Sequence, residues 1–287
     1  MTDVLTVPLH AEAAVFAERV AAALGNPGRL GVAYSGGVDS SVLLALAART
    51  LGPARTLAIL GVSPSLASDE REAAHAVAAT IGVGVIEIET HEGDKADYIA
   101  NGPDRCFHCK DELFTRISDE VAERHQLTAI AYGENAEESL RPDRPGSRAA
   151  ANHRVLRPLA DAGLDKAAVR QVARALGLPN AEKPAAPCLA SRIPHFEEVT
   201  PAKLRQVDAA ESALRALGFA DARVRHHGDV ARIELPLADL VRAASELRKP
   251  LLDAVRGAGF RFVSLDLAGI QSGAFTLPLV VRAGRNA

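Results

Sequence analysis

Three short segments carry residue types able to do chemistry. The densest is Ser35-Gly36-Gly37-Val38-Asp39-Ser40-Ser41. Glycines let backbone N–H groups approach a phosphate with no Cβ in the way, and a helix starting there adds partial positive charge. Ser40 and Ser41 offer hydroxyls that cap the helix or bond phosphate oxygens, and Asp39 offers a carboxylate for Mg²⁺. No lysine follows the second glycine, so the segment is not the loop of γ-phosphate transfer. It also lacks the third glycine of a dinucleotide fingerprint. The plainer use of the same residues is a Gly-Gly turn with a serine cap.

The second segment holds Cys106 and Cys109, two residues apart, with Cys188 as a distant third cysteine. An odd count in a chain read as cytoplasmic is not a disulfide framework, because that compartment keeps thiols reduced. Three thiolates fit a [4Fe–4S] cluster with one iron left open. They also fit a Cys₃His zinc site completed by His108 or another histidine, or three small buried residues. The third segment is Arg223-Val224-Arg225. Two arginines two apart on a strand share a face, and paired guanidiniums suit a phosphate or carboxylate. A solvated strand face is the alternative.

The elements that position these residues follow from hydrophobic period. Helices are expected at Ala11–Leu24, Ser40–Leu51, Asp69–Ile81, after the Cys pair to about His125, and at Asp165–Leu176. Between them, Leu30–Tyr34, Thr56–Val62, Val83–Glu89 and Ala129–Tyr132 read as buried strands. Strands alternating with helices give an α/β fold: a parallel sheet with helices on both faces. The stretch from Ser139 to Arg157, with Arg141, Arg144, Arg148, Arg154 and Arg157, reads as a mobile basic loop. Past the proline-rich linker at Lys183–Pro187 the pattern changes. A helix at Pro201–Leu217, strands at Ala222–His226 and Val230–Leu235 around a His227-Gly228-Asp229 turn, a helix from Leu237 to about Leu247 and a strand at Phe260–Leu265 form a smaller α+β unit. Domains are therefore expected at residues 1–184 and 185–287.

Composition narrows the classes. The 287 residues hold 33 Lys+Arg against 36 Asp+Glu, a net charge of −3, which argues against a protein that simply wraps nucleic acid. The longest uncharged run, Leu267 to Val281, is broken by Gly269, Gly273 and Pro278, so no membrane span is expected. The first eighteen residues carry no Lys or Arg, so no secretory signal is expected and the cytoplasm is the default address.

Ser-Gly-Gly-Val-Asp-Ser-Ser resembles the PP-loop of the ATP pyrophosphatases. That resemblance implies ATP binding and cleavage between the α- and β-phosphates, leaving a substrate oxygen adenylated. Pro103-Asp104-Arg105-Cys106-Phe107-His108-Cys109-Lys110, Cys188-Leu189-Ala190-Ser191-Arg192-Ile193-Pro194, Arg223-Val224-Arg225-His226, Ala231-Arg232-Ile233-Glu234 and Leu265-Asp266-Leu267-Ala268-Gly269 resemble the LarE family in order along nearly the whole chain. LarE proteins are sulfur transferases of nickel-pincer nucleotide synthesis. They adenylate a carboxylate of pyridinium-3,5-biscarboxylic acid mononucleotide and convert it to a thiocarboxylate.

The resemblance implies ATP contacts from Ser35, Gly36, Gly37, Asp39, Ser40, Ser41, Ser63 and Gly133, with Mg²⁺ bound. It also implies a substrate pocket of Arg192, Glu211, Arg223 and Arg225; for Glu211, on the polar side of its helix, pairing with an arginine alone is the plainer reading. With all three cysteines present the chain is similar to the branch in which Cys106, Cys109 and Cys188 hold a [4Fe–4S] cluster. Sacrifice of the Cys188 sulfur, as in the other branch, is the competing mechanism. A sulfide donor and a homo-oligomer, with a hexamer as one candidate, are implied as partners. Departures lie at Pro142-Asp143-Arg144-Pro145-Gly146, one residue longer than the family's loop, at Asn152 in place of a glutamate, and at Ala274-Phe275. A cluster-dependent tRNA thiolase gripping RNA through the basic loop is the runner-up, disfavoured by the net charge. An ammonia-using ligase and a non-enzymatic nucleotide-binding module are the remaining alternatives.

Overall fold

The structure, a computed structural model, describes residues 3–140 and 145–271. In chain order the elements are α1 (Ala11–Leu24), β1 (Leu30–Ala33), α2 (Val38–Leu51), β2 (Thr56–Val62), α3 (Ser68–Ile81), β3 (Val85–Glu89), α4 (Ala96–Ile99), α5 (Arg105–Arg116) and β4 (Ala129–Tyr132). There follow α6 (Ala136–Ser139), α7 (Pro145–Asn152), α8 (Pro158–Asp161), α9 (Lys166–Ala175), α10 (Pro201–Ala216), β5 (Arg223–His227), β6 (Val230–Glu234), α11 (Leu237–Ala244), α12 (Arg248–Gly257) and β7 (Phe262–Leu265). The chain divides into two compact units. One contains Met1–Ser63, Glu70–Glu92 and Cys106–Ala186; the other contains Pro64–Asp69, Gly93–Arg105 and Pro187–Ala287.

The first unit is built on a parallel sheet in the order β3-β2-β1-β4. The apolar, β-branched strands suit a sheet covered on both faces. Strand order reverses between β1 and β4, so the carboxyl ends of those two strands form the crevice where open α/β sheets bind ligands. Helix α2 leaves the end of β1 directly into the core, and eleven of its fourteen residues are buried. Burying side chains such as Leu43, Leu44 and Leu46 stabilises the fold by about 1.5–3 kcal/mol each. Together they fix the axis of the helix, and with it the loop that opens it.

The basic stretch departs from expectation. Residues 141–144, including Arg141 and Arg144, lie outside the described residues. Beyond them α7 is a helix rather than a mobile loop, started by Pro145 at its first position, where proline's missing N–H costs nothing. Ala149 and Ala150 are fully buried beside Phe114 and Tyr132, so small side chains let α7 pack closely. Arg148 stacks on the Phe107 ring at 4.2 Å, and Arg157 pairs with Glu134 at 3.4 Å. These arginines are engaged within the unit. Cys106 and Cys109 also sit inside α5, not ahead of it.

In the second unit β5 and β6 form an antiparallel hairpin, and β7 joins β6 in parallel. α10 is capped by Thr200, whose hydroxyl accepts from Lys203 N, and buries Leu204, Val207, Ala210, Glu211 and Leu214. The helix expected from Leu237 to about Leu247 is α11; α12 follows it over a stretch where no helix was expected, with Pro250 in its first turn, where proline is tolerated. That extra helix is the crossover that lets β7 run parallel to β6. The altered motif at Ala274-Phe275 lies outside the described residues.

Candidate active site

The glycine loop fills the turn between β1 and α2. Gly36 has φ +72°, and a Cβ there would meet Ala74 Cα at 2.8 Å, so the position admits only glycine. Gly133, at the end of β4, lies against the same loop: a Cβ would approach Ser40 N to 2.7 Å. The Ser40 hydroxyl donates to Gly37 O at 3.0 Å and lies 3.2 Å from the Ser35 hydroxyl, closing the turn on itself. Ser41 is fully buried. Both sequence-predicted strand ends thus converge at the strand-order reversal. Ser63, at the carboxyl end of β2, donates its hydroxyl to buried Glu92.

Three residues that sequence reading passed over hold this loop. Asn180 donates from Nδ2 to Gly36 O and to the Ser41 hydroxyl, both at 2.9 Å. Asn135 caps α6 with its side-chain oxygen and donates from Nδ2 to Asp39 Oδ1 at 3.1 Å. Lys166, the first residue of α9, donates from Nζ to Asp39 Oδ2. Asn135 lies two residues past Gly133; Lys166 and Asn180 carried no signal beyond a helix start and a turn. Burial pushes the Tyr34 hydroxyl up to about 12, opposed by its bond with Ser41, so it stays protonated as it donates to Ala74 O at 3.0 Å. A hard carboxylate at a helix mouth that already holds an ammonium fits a divalent cation.

The second unit gathers the predicted arginines. Arg192 and Glu211 form a buried two-bond pair, Nε to Oε1 at 2.8 Å and NH2 to Oε2 at 3.1 Å. Glu211 Oε1 also accepts from Val224 N at 2.8 Å, tying α10 to β5. Arg225 forms the matching pair with Glu234, at 2.9 and 2.8 Å, and donates to Ser191 O at 2.9 Å. Glu234 is a further residue that sequence reading did not single out. It sits on β6 directly opposite Arg223 and reaches Arg225 diagonally.

Arg223 and Arg225 both donate to Gln271 O, at 3.2 and 3.1 Å. They are 6% and 4% exposed, so the strand face is not a solvated one. Burial, and then the neighbouring Arg192 and Arg225 charges, pull Arg223 below the usual arginine range. Burial also opposes the Arg192 charge. The Glu211 carboxylate outweighs it, with Cys188 adding to the effect, and Arg192 titrates above its ordinary value.

Cys188 is exposed, immediately before the short helical turn Leu189–Arg192. Arg192 donates from NH1 to the carbonyl of Pro187, the residue before Cys188, at 2.9 Å, which keeps Cys188 near the arginine set. Cys106 is exposed and Cys109 half-buried, at i and i+3 on one face of α5. Exposed thiols are not small core residues, so that reading falls for Cys106 and Cys188. Within neither unit do three Cys, His, Asp or Glu side chains of the described residues gather into a metal-holding group. Lys110, next to the pair, places its ammonium 4.4 Å over the Tyr132 ring. No helix among the described residues is long and apolar enough to cross a membrane.

The family described as asparagine synthase matches residues 13–253. An uncharacterized protein of Synechocystis is 40% identical over 249 residues, 84% of this chain and 90% of its own. The pyridinium-3,5-bisthiocarboxylic acid mononucleotide synthase of Lactiplantibacillus plantarum is 35% identical over 263 residues, 88% of this chain and 90% of its own. An uncharacterized protein of Methanocaldococcus jannaschii is 27% identical over 238 residues, 82% and 88% of the two chains. With the PP-loop at the sheet's strand-order reversal and similarity running through both units, the chain belongs to the LarE family of ATP-dependent sulfurtransferases, built on the PP-loop fold.

Proposed function

We propose that the protein adenylates a carboxylate of pyridinium-3,5-biscarboxylic acid mononucleotide and exchanges the activated oxygen for sulfur. The likeness to the Lactiplantibacillus synthase supports this substrate. The carrying observation is the buried arginine set, with Arg192 bonded to the residue before Cys188, joined in one chain to a nucleotide loop that lacks the lysine of γ-phosphate transfer. In the first step a carboxylate oxygen attacks the α-phosphorus of ATP, and the α–β anhydride bond breaks to release pyrophosphate. The backbone of Ser35–Ser41 cradles the pyrophosphate, with Ser63 and Gly133 lining the nucleotide site. Asp39 would hold Mg²⁺, which when bound would neutralise phosphate charge. Positioning and charge stabilisation drive the step; no general base is required of an ionised acid. A sulfur nucleophile then bonds to the acyl carbon, and the carbon–oxygen bond to AMP breaks.

Arg223, Arg225 and Arg192 recognise the mononucleotide phosphate and carboxylates, with Glu211 and Glu234 holding two of the guanidiniums in plane. Cys106, Cys109 and Cys188 would hold a [4Fe–4S] cluster, which when bound would supply the sulfur. Exposure of Cys106 and Cys188 supports ligation by leaving those thiols free to meet an inorganic partner. Exposure of Cys188 beside Arg192 also favours a second reading, transfer of the cysteine's own sulfur. The protein works in the cytoplasm as a homo-oligomer supplied by a separate sulfide donor.

Anaerobic protein given ATP, Mg²⁺, sulfide and the pyridinium diacid is expected to form AMP and thioacid together. Cys188→Ala is expected to keep AMP formation and lose the thioacid. Iron and sulfide analysis separates the two sulfur sources: the cluster requires about four of each, and their absence with one turnover per chain favours sacrifice. Neither AMP nor thioacid from the unaltered protein overturns the proposal.

A further inference from the structure

The Asp39 carboxylate is already occupied by a cation of the chain itself. Lys166 Nζ bonds Asp39 Oδ2 while Asn135 holds Oδ1, so both oxygens are engaged. The lysine side chain is 32% exposed and the carboxylate 17%, so the pair is open to exchange with solution. An ion pair of this kind is weakly held, because solvent screens it and a long side chain must be ordered to form it. A divalent cation offers the carboxylate twice the charge in a compact hard ion. Without any cation, an ionised Asp39 at the mouth of α2 would repel an incoming triphosphate.

We propose that Lys166 is a placeholder cation. Its ammonium neutralises Asp39 in the empty loop so that nucleotide can enter, and Mg²⁺ displaces it when the loaded site forms. This rests on the nucleotide site proposed above. Lys166 is therefore a positioning residue whose charge sets the order and tightness of metal and nucleotide binding. Asp165, which caps α9 by accepting from Ala168 N at 2.8 Å, keeps the backbone at Lys166 fixed whichever partner the ammonium has.

Thermal melting of the whole protein with α,β-methylene ATP, which cannot be cleaved at the α–β position, tests this through binding alone. In EDTA, Lys166→Met is expected to weaken analogue binding about tenfold. With analogue fixed, its Mg²⁺ midpoint is expected to fall about three- to tenfold, because the metal no longer competes with an ammonium. Lys166→Arg keeps the charge and is expected to stay within about twofold of wild type in EDTA. Asp39→Asn with Lys166→Met removes both charges and is expected to restore analogue binding in EDTA. A Lys166→Met protein that binds the analogue normally in EDTA, with an unmoved or raised Mg²⁺ midpoint, overturns the placeholder role. If Lys166→Met does not fold, the same readings on Lys166→Gln decide. If the unaltered protein is not stabilised by analogue and Mg²⁺ together, the nucleotide site itself is refuted, and the placeholder with it.

Discussion

The nucleotide loop and the arginine set prepare for anions by opposite means. The loop uses backbone: two glycines with no room for a Cβ, a closing serine hydroxyl, and a helix mouth whose N–H dipoles cost no desolvation of a full charge. The arginine set uses full charges taken out of water. Two of its three guanidiniums are therefore locked to buried glutamates, and both arginines of β5 meet the carbonyl of Gln271. A backbone site tolerates almost no change in shape. A buried charge site tolerates almost no change in charge.

The sharpest way to break this contrast is Gly133→Ala. A methyl group at 2.7 Å from Ser40 N must push the loop away from the β4 end. AMP formation is expected to fall at least about a hundredfold while the arginine unit keeps its stability. Activity within about threefold of the unaltered protein would show that the loop is less tightly built than its contacts indicate.

Glu211→Ala attacks the other side of the contrast. It strips Arg192 of its two-bond partner and leaves Val224 N without its acceptor, both inside the protein. A buried charge left alone costs about 3–5 kcal/mol, visible as a lower denaturant midpoint. Glu211→Gln keeps the shape and one acceptor, and is expected to recover part of that loss. Analogue binding at the PP-loop should be unchanged in both variants.

How legible each site was follows from the same difference. The loop and its cradle are local: Ser35–Ser41 is contiguous, and its strand–turn–helix setting can be read from hydrophobic period. Gly133 came only from a motif. Nothing in sequence marked Asn180 as the donor beneath Gly36, nor Lys166 as the partner of Asp39, because pairings across more than a hundred residues depend on the packing of α9 against α2. The arginines were visible as a pair on one strand. Their burial was not, since strand spacing alone does not say whether a face meets solvent, and Glu234 acquires its role only through the β5–β6 register. The arginines of 145–157 misled because local residue type was read as a loop signal where packing of small residues builds helix.

Asn180→Ala should sharpen the loop side at smaller cost. It removes two donors from the loop's underside, leaving Gly36 O unsatisfied and the Ser41 hydroxyl with Tyr34 in place of two partners. Unmaking such buried bonds costs about 1–3 kcal/mol. Because the loop and not the core is loosened, the KM for ATP should rise about tenfold, with thermal stability falling only slightly. An unchanged KM would mean that the glycine geometry alone holds the site.

Acid tests the charged unit most gently. His195, His226 and His227 all belong to it, and burial, first among the causes, holds each below the ordinary histidine value of 6.5. In the unfolded chain they take up protons as pH falls through about 6.5, while the folded protein resists until lower pH. Between those values the unfolded state binds more protons, so stability rises with pH: it is fully present above about 6.5 and is lost as pH falls toward the folded values. A drop from pH 7 to pH 5.5 should therefore lower the melting temperature by a few degrees. His226, stacked on Phe260 with 5.3 Å between ring centroids and bonded to Gln206 at 3.1 Å, should carry part of the effect. His226→Gln should flatten the melting-temperature profile over that range, and an equally steep profile in the variant would leave the acid sensitivity to His195 and His227.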